Sequence, residues 1–122
     1  MKMKILFLAC ALSFNYTVAY GQAMDCSNSH SMHTMHLSDY SKEYMKSMCD
    51  MMSQMDKYPL NGNASHDFAA MMIPHHEAAV EMAKTLLKDP NANASLLKMA
   101  NDIISSQTLE VEAMIAFLAA NP

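Results

Sequence analysis

Ser65-His66-Asp67-Phe68-Ala69-Ala70-Met71-Met72-Ile73-Pro74-His75-His76-Glu77-Ala78-Ala79-Val80-Glu81-Met82-Ala83-Lys84-Thr85-Leu86-Leu87-Lys88 reads as one long helix, and the fold follows from it. Phe68, Met72, His75, Ala79, Met82 and Leu86 recur at steps of three and four, the spacing of a single helical stripe. Ser65 is a natural N-cap, and Asp67 in the first turn complements the helix dipole. Pro74 lies inside the pattern. It lacks an N–H, so a kink is expected there, with the carbonyl of Ala70 released from its usual bond. Asp89-Pro90-Asn91 then marks a turn.

Two more helices flank this one. The first is expected from Ser38 or Asp39 to about Lys57, with Met45, Met48, Met52 and Met55 on its apolar stripe. Tyr58-Pro59-Leu60-Asn61-Gly62-Asn63 breaks the chain after it. The third runs from about Ser95 to Ala119, with Leu97, Ala100, Ile104, Gln107, Val111, Met114 and Leu118 on one stripe. No strand pattern competes. The fold class is therefore all-α, a small antiparallel helical bundle of three main helices. Three such helices barely close a core, so a homodimer completing a larger bundle is a fair expectation.

The N-terminal part has a different character. Met1-Lys2-Met3-Lys4 and the apolar Ile5 to Phe14 read as a signal peptide over 1–21, cleaved before Gln22, with Ala23 as a second option. The apolar run is too short for a bilayer span, which needs about 20 residues. Residues 22–37 have no apolar periodicity and are expected to form a disordered Met- and His-rich tail. The helical domain occupies 38–122. The expected product is a periplasmic or secreted soluble chain with no membrane segment. In an oxidising compartment Cys26 and Cys49 favour a disulfide, with thiolate ligation the competing reading.

Eight lysines, of which Lys2 and Lys4 belong to the leader, face twelve acidic residues, and arginine is absent. The mature chain is thus acidic by about six charges, which argues against nucleic acid as a partner. Fifteen Met and no Trp stand among 122 residues. Leu would pack and specify a core better, so this much Met asks for a second reason. Thioethers select soft ions such as Cu(I), and imidazoles suit several transition metals. Met71 with His75, and Met72 with His76, are four residues apart and share helix faces. His75 and His76 point about 100° apart, so one ring is expected to face the core and the other a groove. Gln107, Glu110 and Met114 offer an amide, a carboxylate and a thioether in one column of the third helix. In the tail, His30, Met32, His33, Met35 and His36 repeat the same chemistry with no packing to explain them. Both His75 and Gln107 interrupt apolar stripes, so each needs a polar partner.

At Asp67-Phe68-Ala69, Met71-Met72, Pro74-His75-His76, Ala79, Met82-Ala83, Ile103-Ile104, Gln107, Glu110, Met114 and Leu118 the chain resembles the domain of unknown function 305 family. This is a ferritin-like helical family of exported bacterial proteins, some of which bind copper and support copper resistance. The resemblance covers roughly residues 38–119. It implies that His75, His76, Met71, Met72, Gln107, Glu110 and Met114 occupy motif positions. Ala78 and Ala79 stand where the family often has Gly, and Phe117 where Trp is frequent.

The expected function is sequestration or carriage of Cu(I), with Ag(I) as an incidental ligand and Cu(II) taken by the tail imidazoles. Thioether is a sensible soft ligand where a thiolate would oxidise. Metal ions and copper-exchange proteins are the partners this implies. A helical interaction module or chaperone with a Met-rich surface is the alternative. A di-iron enzyme would need Glu-x-x-His from two helices, and the sequence contains none. No nucleophilic set or phosphate loop is present, so an enzyme is not expected.

Overall fold

The computed structural model describes Cys26 and residues 37–122; the expected signal peptide over 1–21 and the expected Met- and His-rich tail over 22–37 lie outside the described residues, Cys26 and Leu37 excepted. Three helices follow in order: α1 (Asp39–Gln54), extended by a 3-10 turn (Met55–Lys57), α2 (Ala64–Leu86) and α3 (Ala94–Ala120). No strand is found among the described residues. The all-α expectation holds, and the helix bounds fall within a few residues of those read from periodicity.

Local chemistry sets each start. Ser38 accepts a hydrogen bond from the Ser41 N–H at the head of α1. Asn63, rather than Ser65, caps α2: its side-chain oxygen accepts from the N–H groups of Ser65 and His66 at 2.9 and 3.2 Å. Asn93 caps α3 in the same way. An Asn can satisfy two of the orphan N–H groups of a first turn, so it displaces the Ser two residues on. Gly62 holds φ at +87° in the preceding turn, and its N–H donates to Asp67 at 3.1 Å. Asp67 also accepts from the Asn61 N–H at 2.9 Å, which holds its carboxyl below the usual range.

The middle helix organises the rest. Both α1 and α3 pack antiparallel on α2 and scarcely on each other. Towards α1, Thr85 donates to Glu43 at 3.0 Å, Lys88 pairs with Glu43 at 2.6 Å, and Met51 lies beside Pro74 and Ala78. Those contacts with Lys88 and Thr85 lower the Glu43 pKa. Towards α3, Ala69 lies beside Ala113 and Phe117, His76 meets Glu110, and Ala83 lies beside Ala100. The buried apolar set is small and rich in Ala, with Ile73 and Pro74 its largest wholly buried members. Small side chains allow close helix approach but bury little area each, at about 25 cal/mol per Å². The Cys26–Cys49 disulfide forms, with Cα atoms 5.3 Å apart. A closed loop of that length stabilises by about 3 kcal/mol on the chain-entropy account.

Two stripes need correction. On α2 the stripe through Phe68 and His75 is not the core: Phe68 and His75 are exposed, and Met72, Ala79, Met82 and Leu86 are only half-buried. The buried positions are Ala69, Ile73, His76, Val80 and Ala83 on one side and Ala70, Pro74, Ala78 and Thr85 on the other. A helix flanked on two sides needs small residues at both seams, so its largest apolar side chains are pushed to the uncovered flank. On α1, likewise, Met48 and Met52 are exposed while Ser47 is buried against α2. The α3 stripe stands as read, with Ala100 buried and Leu97, Ile104, Gln107, Val111, Met114 and Leu118 half-buried. By length and composition α3 is also long and apolar enough to cross a membrane.

Candidate metal centre

Just past Pro74, α2 presents two adjacent imidazoles to different surroundings. The centroids of His75 and His76 are 6.3 Å apart and their planes differ by 58°. The helical turn of about 100° per residue sends one ring into the α2–α3 seam and the other to solvent. His76, not the His75 of the expected apolar stripe, lies in the seam, and His75 is exposed rather than set in a groove.

His76 is only 8% exposed. Its Nε2 lies 2.7 Å from Oε2 of Glu110, whose side chain keeps more than half its surface in water. An ionised carboxylate only accepts, so Nε2–H is the donor of this contact, and in the neutral ring the lone pair sits on Nδ1. That Nδ1 is buried with no hydrogen-bond partner. On α3, one turn before Glu110, the side-chain oxygen of Gln107 is buried and unpartnered too. An unsatisfied buried polar atom costs about 1–3 kcal/mol. Two such atoms, both electron-pair donors, lie along the seam that the His76–Glu110 contact closes. A carboxylate that fixes the tautomer and direction of an imidazole, leaving the other nitrogen free, is the usual outer-sphere support of a metal-bound histidine.

The thioethers divide between the same two environments. Met72, one turn before His76, is half-buried, and Met71, one turn before His75, is exposed. Met114 is half-buried and lines a cleft with Phe68, Ala69 and Phe117. The structure thus pairs His76 with Glu110, buries the Gln107 oxygen on α3, and leaves Met71 and His75 exposed. His30, Met32, His33, Met35 and His36 lie outside the described residues. The Cys26–Cys49 bond nevertheless makes their segment part of a covalent loop closed on α1.

Among the described residues, no three of His, Cys, Asp and Glu gather into a set that could hold an ion. An ion held in the bundle would therefore draw on thioether or amide donors beside the imidazoles. Sequence reading passed over His66, whose Nδ1 approaches Asp67 at 3.3 Å. Its position next to a first-turn acid was the available signal. Glu77 and Glu81 instead face a polar groove with Gln54, Lys84 and Glu112, away from His76's carboxylate partner. Lys84 pairs with Glu81 there at 2.7 Å.

No curated protein matches the chain. Residues 19–118, by contrast, match the family described as Domain of unknown function (DUF305), and the chain belongs to that family.

Proposed function

We propose that the chain is an exported copper-binding protein that sequesters or carries Cu(I), and takes Ag(I) by the same chemistry, in metal homeostasis or resistance. The observation that carries this reading is the His76 imidazole, oriented by Glu110 through Nε2 and left with a buried, unpartnered Nδ1. Gln107 Oε1 and the thioethers of Met72 and Met114 supply further neutral donors nearby, and Met71 with His75 offers an outward pair through which an ion enters or leaves. Neutral thioether and imidazole donors favour a soft monovalent ion over hard divalent ones. Weak donors also suit a carrier, which must give its ion up. His30, His33 and His36 with Met32 and Met35 act as an accessory collector in this reading, and their imidazoles accept Cu(II). The disulfide fits an oxidising compartment outside the cytosol. The ferritin-like kinship drawn from the family motif belongs to the same proposal.

An anaerobic titration against a chromogenic Cu(I) chelator tests it. Wild type should compete for one equivalent or more. His76→Ala should weaken binding at least tenfold, and Glu110→Gln about tenfold through lost orientation of the ring. No competition by wild type, or equal competition by His76→Ala, would overturn the assignment. The second reading, a helical interaction module, is favoured by the uncovered apolar flank of α2. It requires partner binding that persists fully in chelator.

A further inference from the structure

The large side chains that α2 turns away from both seams do not end at α2. Phe68, Met72, His75, Ala79, Met82 and Leu86 step by four and three along it. On the same flank, Leu96, Met99, Ile103, Glu110 and Phe117 follow along α3 at steps of three, four, seven and seven. Two clefts join these rows. One is lined by Phe68, Met114 and Phe117, the other by Met82, Leu86, Leu96, Met99 and Ile103, with Tyr44 of α1 at its edge. Such a repeat is the spacing by which helices seat side chains into the gaps of a facing helix. Here no helix faces it among the described residues.

The flank is large and almost uncharged. Phe68 is 63% exposed, Met99 56%, Phe117 38%, and Met71 and Leu96 47% each. At roughly 200 Å² per large side chain these five leave on the order of 500 Å² of apolar surface in water. That reaches the largest patch a typical monomer shows, about 300–600 Å². The half-buried neighbours bring it close to the roughly 800 Å² per partner of a standard interface. Acidic groups are gathered elsewhere: Glu77, Glu81 and Glu112 line the opposite groove. Glu110 is the exception, a half-exposed carboxylate in the middle of the stripe. The chain's net charge of −4 repels anionic lipid.

We infer that this flank is a self-association surface, on which a second copy of the chain lays its own α2–α3 hairpin. A second copy presents the same two heptad-spaced rows at matched length, with α2 and α3 about 35 and 40 Å long at 1.5 Å per residue. The pair of hairpins gives a four-helix arrangement with a two-fold axis. The inference needs no bound copper, although a second copy laid on this flank also covers Met71 and His75.

Sedimentation velocity in the presence of chelator tests it, using the chain purified as exported with its disulfide intact. Wild type should form a dimer whose dissociation constant rises at least about tenfold in Phe68→Glu, and likewise in Met99→Glu at a second exposed position. Ile115→Gln, on the far side of α3 about 160° from Phe117, should leave the dimer intact. Far-UV circular dichroism confirms that each variant is folded, and Met99→Glu decides the matter should Phe68→Glu unfold. A wild type that stays monomeric at high concentration, or a dimer indifferent to both Glu variants, would overturn the inference. So would flotation of wild type with phosphatidylcholine vesicles, which would assign the flank to lipid.

Discussion

Replacing His76 by Leu should make the metal-free protein more stable while removing its affinity for Cu(I). The side chains are close in volume, so neither a cavity nor overpacking dominates. The substitution removes a buried Nδ1 that has no partner, which costs wild type about 1–3 kcal/mol. It also removes the 2.7 Å contact to Glu110. A net hydrogen bond to a charged group contributes about 1.5–3 kcal/mol, but Glu110 keeps more than half its side-chain surface in water and is re-solvated when His76 is gone. Apolar burial of the Leu adds to the favourable side. The balance is a gain of about 1 kcal/mol, or a rise of roughly 4–8 °C in Tm for a domain of this size. Differential scanning calorimetry on apo wild type and variant measures it, with the chelator competition run on the same samples. A drop of several degrees in the apo protein would instead make His76 a structural hydrogen-bonding group.

Other consequences concern the frame around the site. Ile73 is wholly buried one turn before His76, so Ile73→Ala should cost about 2–5 kcal/mol in urea unfolding at an unchanged m-value. Cys26→Ser, by freeing the loop closed on Cys49, should cost about 3 kcal/mol, and reducing agent should lower the Tm of wild type but not of that variant. Asp67 and Glu43 both titrate below the ordinary carboxylate range in the folded chain, Asp67 chiefly through the Asn61 N–H and Glu43 through Lys88. Their contribution is therefore fully present above about pH 4–5 and lost as pH falls through the depressed values, since the unfolded chain then binds more protons. A pH series of urea midpoints on wild type and Asp67→Asn should show a shallower acid decline in the variant. Gly62→Ala meets no atom within 4 Å, yet its positive φ should cost about 1–2 kcal/mol.

The helices were legible because their boundaries are local chemistry. Asn, Ser, Pro and Gly punctuate the chain at each end, and the three-and-four rhythm runs unbroken between them. Which face each helix buries was legible only for α3; α1 also packs on α2 alone, yet it buries Ser47 and leaves Met48 and Met52 of its Met stripe exposed. α2 has two neighbours, so the stripe of its largest residues marks the side left over, and the true seams are written in Ala69, Ala70, Ile73, Ala78 and Ala83. The same displacement exchanged the roles of His75 and His76. Periodicity says that the two rings diverge by about 100°, but which of them is inside depends on the position of α3. The Glu110 partner was visible as part of a polar column on α3, whereas its pairing to His76 rests on the antiparallel register, which no local signal carries.

On the proposed function, a soft ion is held by the donors of α2 and α3. Titrating Ag(I) into the chain labelled with ¹³C at the Met methyl groups tests it most directly, since each thioether reports its own coordination. The Met72, Met71 and Met114 resonances should shift in proportion to the first equivalent, with Met32 and Met35 responding only afterwards. Saturation of Met32 and Met35 first, with the bundle resonances unmoved, would contradict it and reduce the paired histidines to a feature of the fold.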